Sequence, residues 1–313
     1  MEVTVDKNSG FCWGVVRAVN FAEQELEQAE KLYSLGDIIH NPTEVDRLKG
    51  EGLETISHAD FDRIAEENRS KGVATKILIR AHGEPPSTYT KMKALGLEVV
   101  DATCPVVSKV QERIRKFYDQ DFQIVIFGKK DHAEVIGLNG VVNNEAIIIK
   151  SVEEAMSQIN LDRKTVLFSQ TTMDRPTFRA VRDALKEKIA HLVIAEAQED
   201  ALEFHAKDTI CGQVSGRETK LAEFARVQDV MIFVAGRNSS NGKVLFHVAH
   251  DANEHTYFVE DESEIKMEWL AGAQRVGVSG ATSTPQWLMQ RVADHIYTMC
   301  GEPEKANLLP VIG

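Results

Sequence analysis

The chain has 313 residues, 43% hydrophobic and 27% charged, with a formal net charge of −12. This composition suits an ordinary globular protein with apolar cores, and the acidic balance excludes a general nucleic-acid binder, which needs a basic face to release counterions. No apolar run nears the roughly 18 residues of a membrane span, and the opening MEVTVDKNSGF lacks the basic-then-apolar order of a signal peptide. The expectation is a cytoplasmic protein with neither a membrane nor a nucleic-acid partner.

In chain order, residues 3–5 read as a strand and Gly10 as a tight turn. A helix follows from Gly14 towards Lys31, with Val15, Val19, Ala22, Leu26 and Ala29 at helical spacing. Then come strand KLYSLGD, helix 43–50, a strand near 53–56, helix 58–71 and strand TKILIRAH. Leu97–Asp101 reads as the next strand, followed by the turn at Cys104 and helix 106–119, with proline at its entry. Strand QIVIFG, helix 132–139, strand EAIIIK, helix 152–158, strand KTVLFSQTT and helix 176–189 continue the pattern. The last part is predicted as strand HLVIA, helix 198–205, helix 215–227, strand VMIFVAG and a helix after Asn241. Strand HTYFVE, helix 262–268, strand QRVGVSG and a final helix 285–299 complete it. Strands alternating with helices predict an α/β chain with mainly parallel sheets and ligands at the carboxyl ends of strands.

The parts recur. Cys12, Cys104 and Cys211 are each followed 28 positions later by a polar residue, His40, His132 and Ser239. Each partner follows an apolar run ending in glycine: YSLGDIIHNP, VIFGKKDHAE and FVAGRNSSNG. A third echo follows: ILIRAHGEP, VLFSQTTMDRP and VGVSGATSTP. A period near 100 residues predicts three related modules, 1–96, 97–190 and 191–313. Packed about a pseudo-threefold axis, they would bring three thiols and a polar ring together.

Four cysteines in a reducing compartment read as thiols or metal ligands rather than two disulfides. Cys12, Cys104 and Cys211 lie in turns at predicted helix N-termini, where the helix dipole favours thiolate. Cys300, near a helix end in TMCG, has no echo and reads as structural. Three cysteines suit zinc with an open position or an iron–sulfur cubane with one iron lacking a protein ligand. Buried apolar thiols are the bland reading. His40, His82 and His132 each follow a strand end. With Ser239, Ser240, Asn241 and Ser283 they make a donor-rich pocket suited to a diphosphate. Glu134, two residues after His132 and in the module of Thr171 and Thr172, offers a proton relay.

The segments GFCWGVVRAV, IHNPTEV, RAHGEP, DATCPVV, DHAEVIG, SQTTM, DTIC, NSSN and STPQWL closely resemble the 4-hydroxy-3-methylbut-2-enyl diphosphate reductase family, from Cys12 to the final helix. The resemblance implies a three-module trefoil around one [4Fe–4S] cluster held by Cys12, Cys104 and Cys211. It implies diphosphate binding by His40, His82, His132, Ser239, Ser240, Asn241 and Ser283, and Glu134 as proton source working with substrate-contacting Thr171. The implied reaction is a two-electron reductive dehydroxylation that ends the methylerythritol phosphate route to isoprenoids. It yields isopentenyl and dimethylallyl diphosphate. No nucleotide or flavin motif is present, so a separate donor of ferredoxin or flavodoxin type is expected. The chain departs from the family pattern in two places. Val214 stands where a threonine is usual, and GATSTP is one residue longer than GASTP, leaving Thr282 as the alternate to Ser283. A quinolinate-synthase-like cluster enzyme, a non-catalytic iron–sulfur sensor and a zinc hydrolase are the rivals.

Overall fold

The computed structural model describes residues 1–29, 31–196 and 203–306, with the side chains of 191–196 outside the description. The first third of the chain runs β1 (Glu2–Val5), α1 (Trp13–Leu26), β2 (Leu32–Leu35), α2 (Pro42–Gly50), β3 (Leu53–Ile56), α3 (Phe61–Lys71), β4 (Ile77–Ile79), α4 (Pro86–Ala94) and β5 (Val99–Asp101). The middle runs α5 (Pro105–Tyr118), β6 (Gln123–Phe127), α6 (Ala133–Gly140), β7 (Ile147–Ile149), α7 (Val152–Gln158), β8 (Thr165–Ser169) and α8 (Arg175–Glu196). The rest runs β9 (Phe204–Ala206), α9 (Gly212–Arg226), β10 (Val230–Val234), α10 (Ser240–Ala252), β11 (Thr256–Val259), β12 (Arg275–Gly280) and α11 (Gln286–Met299).

The strands form three four-stranded sheets, ordered β1-β12-β10-β11, β3-β2-β4-β5 and β7-β6-β8-β9. The registers between neighbours are parallel. The central strands β6, β8 and β10 are buried along their whole length. That explains their uninterrupted apolar text: a parallel sheet covered on both faces has no polar side to alternate with.

The chain divides into two compact units. One comprises Met1–Leu32, Asp37–Thr55 and Gly212–Gly313, the other Tyr33–Gly36 and Ile56–Cys211. In the first, Val3, Val278, Ile232 and Val259 pack with Leu288, Val292 and Ile296 of α11 on one side of the sheet. Phe233, Met231, Leu221 and Leu245 form a second cluster. In the second, Ile126, Phe168, Ile114 and Leu138 make one core, and Phe127, Leu167, Phe178 and Leu185 another. Truncating a fully buried Phe168 or Phe233 to alanine costs about 3–5 kcal/mol in such settings.

Several elements differ from the sequence reading. HLVIA is not a strand; residues 191–195 lie in the last turns of α8. No glycine or proline occurs between Thr177 and Glu196, so nothing in that stretch interrupts the helix. Of the predicted helix 198–205, residues 198–202 lie outside the described residues, and Phe204–Ala206 is instead the edge strand β9, paired with β8. Helix α4 has no counterpart in the sequence reading, which passes from strand TKILIRAH to the strand at Leu97–Asp101. Pro86 occupies the first turn, where a missing N–H costs nothing, and Thr88 and Met92 face the core. The predicted helix 262–268 is two 3₁₀ turns, Glu262–Glu264 and Met267–Leu270. Ile265 between them is extended, which buries its side chain.

Candidate active site

In the first unit, the turn carrying Cys12 is held from several sides. Gly10 has φ +101°, a conformation that favours glycine, and a Cβ there would also crowd the Gln286 side chain at 3.1 Å. The Arg217 guanidinium on α9 donates to the Gly10 carbonyl and, at 3.3 Å, to that of Phe11. The Cys12 amide donates to Thr282 O at 3.0 Å. Cys12 is the N-cap of α1, and its side chain makes no capping hydrogen bond.

Thr282 also organises the polar residues of this unit. Its amide and hydroxyl donate to Asn241 Oδ1 at 2.8 and 2.7 Å. Ser283 Oγ lies 3.4 Å from Ser239 Oγ and 3.5 Å from the His40 carbonyl oxygen. A Cβ at Gly236 would run into that same carbonyl, so glycine lets the β10 end approach the His40 turn. His40, Ser239, Asn241 and Ser283 are thus brought together. Ser240 follows Ser239 in the first turn of α10 and is buried. Asn241 is 3% exposed, and its Nδ2 has no hydrogen-bond partner among the described residues.

The second unit repeats the construction with different chemistry. The Cys104 amide donates to Ala81 O at 3.0 Å, beside His82, and the Cys211 amide donates to Thr171 O at 2.9 Å. Each of the three cysteines is therefore tethered through its backbone to the residue two past a strand end: Ala81 after β4, Thr171 after β8, Thr282 after β12. His132 is the N-cap of α6, and its Nδ1 accepts the Glu134 amide at 3.2 Å. That bond assigns the neutral ring's proton to Nε2, which leaves His132 a donor at its far end. The His82 ring stands edge-on to it, with centroids 5.2 Å apart.

Glu134 is 1% exposed. Its Oε1 accepts the Thr171 amide and its Oε2 the Thr171 hydroxyl, both at 2.7 Å. Burial pushes its pKa up to about 7, against the two hydrogen bonds from Thr171, which pull it down. A carboxyl poised near neutrality is what a proton donor at ordinary pH needs.

A half-buried thiol at a helix N-terminus is a donor suited to a soft metal. Among the described residues none is in a disulfide, all are half-buried, and Cys104 and Cys211 lie at helix N-termini as Cys12 does. Burial pushes the Cys104 thiol up, against backbone hydrogen bonds from Val106 and Val107 that pull it down, and the nearby Cys211 adds a smaller rise. Cys300 follows the last residue of α11, packs against the core of the first unit and takes no part in these tethers. Val214 is buried at 3% exposure on α9, an apolar contact where a hydroxyl was expected.

Sequence reasoning missed Arg217 and the organising role of Thr282. Arg217 carries no signal in a single sequence. Thr282 could have been found from its register, since it stands to β12 as Thr171 stands to β8.

The family model for LytB protein matches residues 3–297. The 4-hydroxy-3-methylbut-2-enyl diphosphate reductase of Chloroherpeton thalassium is 47% identical over 311 residues, covering 95% of this chain and 96% of its own. The reductase of the same name from Parabacteroides distasonis is 45% identical over 300 residues, covering 95% and 97%. A solved (E)-4-hydroxy-3-methyl-but-2-enyl diphosphate reductase, described as the terminal enzyme of the non-mevalonate pathway, aligns with a TM-score of 0.67 at 31% identity over 95% of this chain and 99% of its own. The Plasmodium falciparum E-1-hydroxy-2-methyl-but-2-enyl-4-diphosphate reductase shares the fold, with a TM-score of 0.78 at 24% identity over 94% and 87%.

Proposed function

The chain belongs to the LytB protein family, and from that premise we propose that it is a 4-hydroxy-3-methylbut-2-enyl diphosphate reductase acting through one [4Fe–4S] cluster. Cys12, Cys104 and Cys211 would hold the cluster, and one iron would be left without a protein ligand. When bound, it supplies electrons one at a time and a Lewis-acidic iron for the substrate's hydroxyl. The electrons come from a separate protein of ferredoxin or flavodoxin type.

The chain's own residues bind, orient and protonate. His40, His82 and His132, with Ser239, Ser240, Asn241 and Ser283, hold the diphosphate. Each offers N–H or O–H donors and no carboxylate. Glu134 holds the proton on its carboxyl, with Thr171 as the relay. The C–O bond breaks, and the hydroxyl leaves as water with that proton. Two electrons and a second proton then give isopentenyl or dimethylallyl diphosphate, with the substrate's own diphosphate supplying that proton.

The observation that carries the reading is the buried Glu134–Thr171 pair, with its pKa near 7. A sensor has no use for such an acid. The test is anaerobic turnover of the hydroxylated diphosphate with a chemical reductant. The two isomeric diphosphates are expected, and protein with intact cluster that yields neither overturns the reading.

A further inference from the structure

We propose that Asn41 is a further substrate-binding residue, donating through Nδ2 to the same diphosphate. This rests on the diphosphate reading above.

Three helices begin where the polar ring residues lie, and each has a side-chain cap. Asn41 Oδ1 accepts the Glu44 amide at 3.1 Å, His132 Nδ1 that of Glu134 at 3.2 Å, and Ser239 Oγ that of Gly242 at 2.9 Å. In the repeat the caps correspond. Two of them, His132 and Ser239, are the residues already assigned to the diphosphate. The third is Asn41 and not His40. The offset comes from the loops: residues 128–132 and 235–239 precede α6 and α10, whereas 36–41 precede α2, one residue more. Spacing from the cysteines therefore aligns His40 with the ring, and the fold aligns its neighbour.

The orientation of the Asn41 amide is not arbitrary. Its oxygen is pinned by a backbone N–H, which can only donate, so the amine end must face the other way. Asn41 is 1% exposed, and its Nδ2 has no hydrogen-bond partner among the described residues. A buried donor without a partner is costly and uncommon. Asn241, in the same unit, is built alike. Its oxygen is pinned by the Thr282 amide, and its Nδ2 is likewise without a partner. The Asn41 turn itself lies against this segment, since Ser283 Oγ reaches the His40 carbonyl at 3.5 Å and Gly236 admits the same carbonyl. Two amides with oxygens fixed and amines without a partner among the described residues, on adjoining turns of one unit, fit an oxyanion with several acceptor atoms.

Asn41→Asp and Asn41→Ser test this, because aspartate and serine cap a helix about as well as asparagine. Both keep the cap and remove the amine. The cluster-loaded protein is titrated calorimetrically with inorganic diphosphate, with His40→Asn as reference. The expected result is a Kd at least tenfold higher in N41D, severalfold higher in N41S, and raised in H40N, with unfolding temperatures of the Asn41 variants near the parent's. If H40N weakens binding while both Asn41 variants stay within twofold of the parent, Asn41 is only a cap and the inference falls, with the diphosphate reading intact. If all three bind like the parent, the diphosphate reading falls and this inference with it. Should N41D fail to fold, N41S alone decides.

Discussion

Glu134 takes both of its hydrogen bonds from one residue, Thr171, the backbone amide serving one oxygen and the side-chain hydroxyl the other. Asn241 and Thr282 repeat the arrangement in the other unit, again joining the residue two past a helix cap to the residue two past a strand end. In one copy the acceptor is a carboxyl, which can carry a proton. In the other it is a carboxamide, which cannot. The duplicated scaffold thus differs, by a single side-chain choice, between an acceptor that can titrate and one that cannot.

Glu134→Gln should bind substrate and turn it over slowly. Glutamine keeps the shape and the Thr171 contacts but has no transferable proton. We expect kcat to fall by about 10² and KM to change little, since proton delivery matters only as the C–O bond breaks. Anaerobic steady-state kinetics check this. A near-normal kcat moves the acid role to the substrate diphosphate or to a water held by Thr171.

The pKa of about 7 at Glu134 sets two pH dependences. Turnover needs the protonated acid, so kcat should decline as pH rises through about 7. In the cluster-free protein, the folded state keeps this proton at pH values where the unfolded chain, near its ordinary 4.5, has lost it. The contribution to stability is full below 4.5, declines as pH rises towards 7 and levels off above it, a total on the order of 3 kcal/mol. Glu134→Gln should lack this loss. Urea denaturation at pH 5 and pH 8 should therefore show the variant gaining on the parent at the higher pH. Parallel behaviour of the two proteins refutes the assignment.

Thr171→Val removes the hydroxyl that favours the ionised carboxylate. The Glu134 pKa should rise further, and the falling limb of the pH–rate profile should move to higher pH. Thr171→Ser retains the hydroxyl and should leave the limb where it is. An unmoved limb in Thr171→Val would mean that another group controls the profile.

His132→Asn keeps an acceptor for the Glu134 amide but loses the ring donor. With charge-assisted hydrogen bonds worth roughly 1.5–3 kcal/mol each, diphosphate affinity should drop about tenfold or more. The absorption spectrum of the cluster should stay unchanged. Equal affinity in His132→Asn and parent removes this residue from the binding set.

Serine at Cys12, Cys104 or Cys211 should abolish iron and sulfide retention in anaerobically purified protein, while Cys300→Ser retains both. Metal analysis decides, and a cluster lost on changing Cys300 would overturn the ligand set.

Much of the fold was legible because buried parallel strands and capped helices leave strong local text. IVIF and MIFV could hardly be read otherwise, and Pro105 marks its helix start. The candidate site was legible because the repeat writes the same construction three times, so that a histidine in one copy lends meaning to a serine in another. What escaped depends on register and distance. Asn41 was passed over because a loop one residue longer shifts the cap. Arg217 meets Gly10 across more than two hundred positions, which no local pattern records. HLVIA was misread because a β-branched, apolar run looks like a strand until the uninterrupted helix before it is taken into account.

The neighbour of β1 in its sheet is β12, and the amide of Cys12 is held by the carbonyl of Thr282. During synthesis Cys12 leaves the ribosome early, while Thr282 comes 270 residues later (282 − 12). At about 5–20 residues per second, that is a wait of roughly 15–50 s. Cys104, Cys211 and their tethers at Ala81 and Thr171 belong to the span that can fold first. The Cys12 turn is therefore completed only near the end of synthesis, and a chain stopped short of residue 275 carries an unpaired first strand, a template for misassociation.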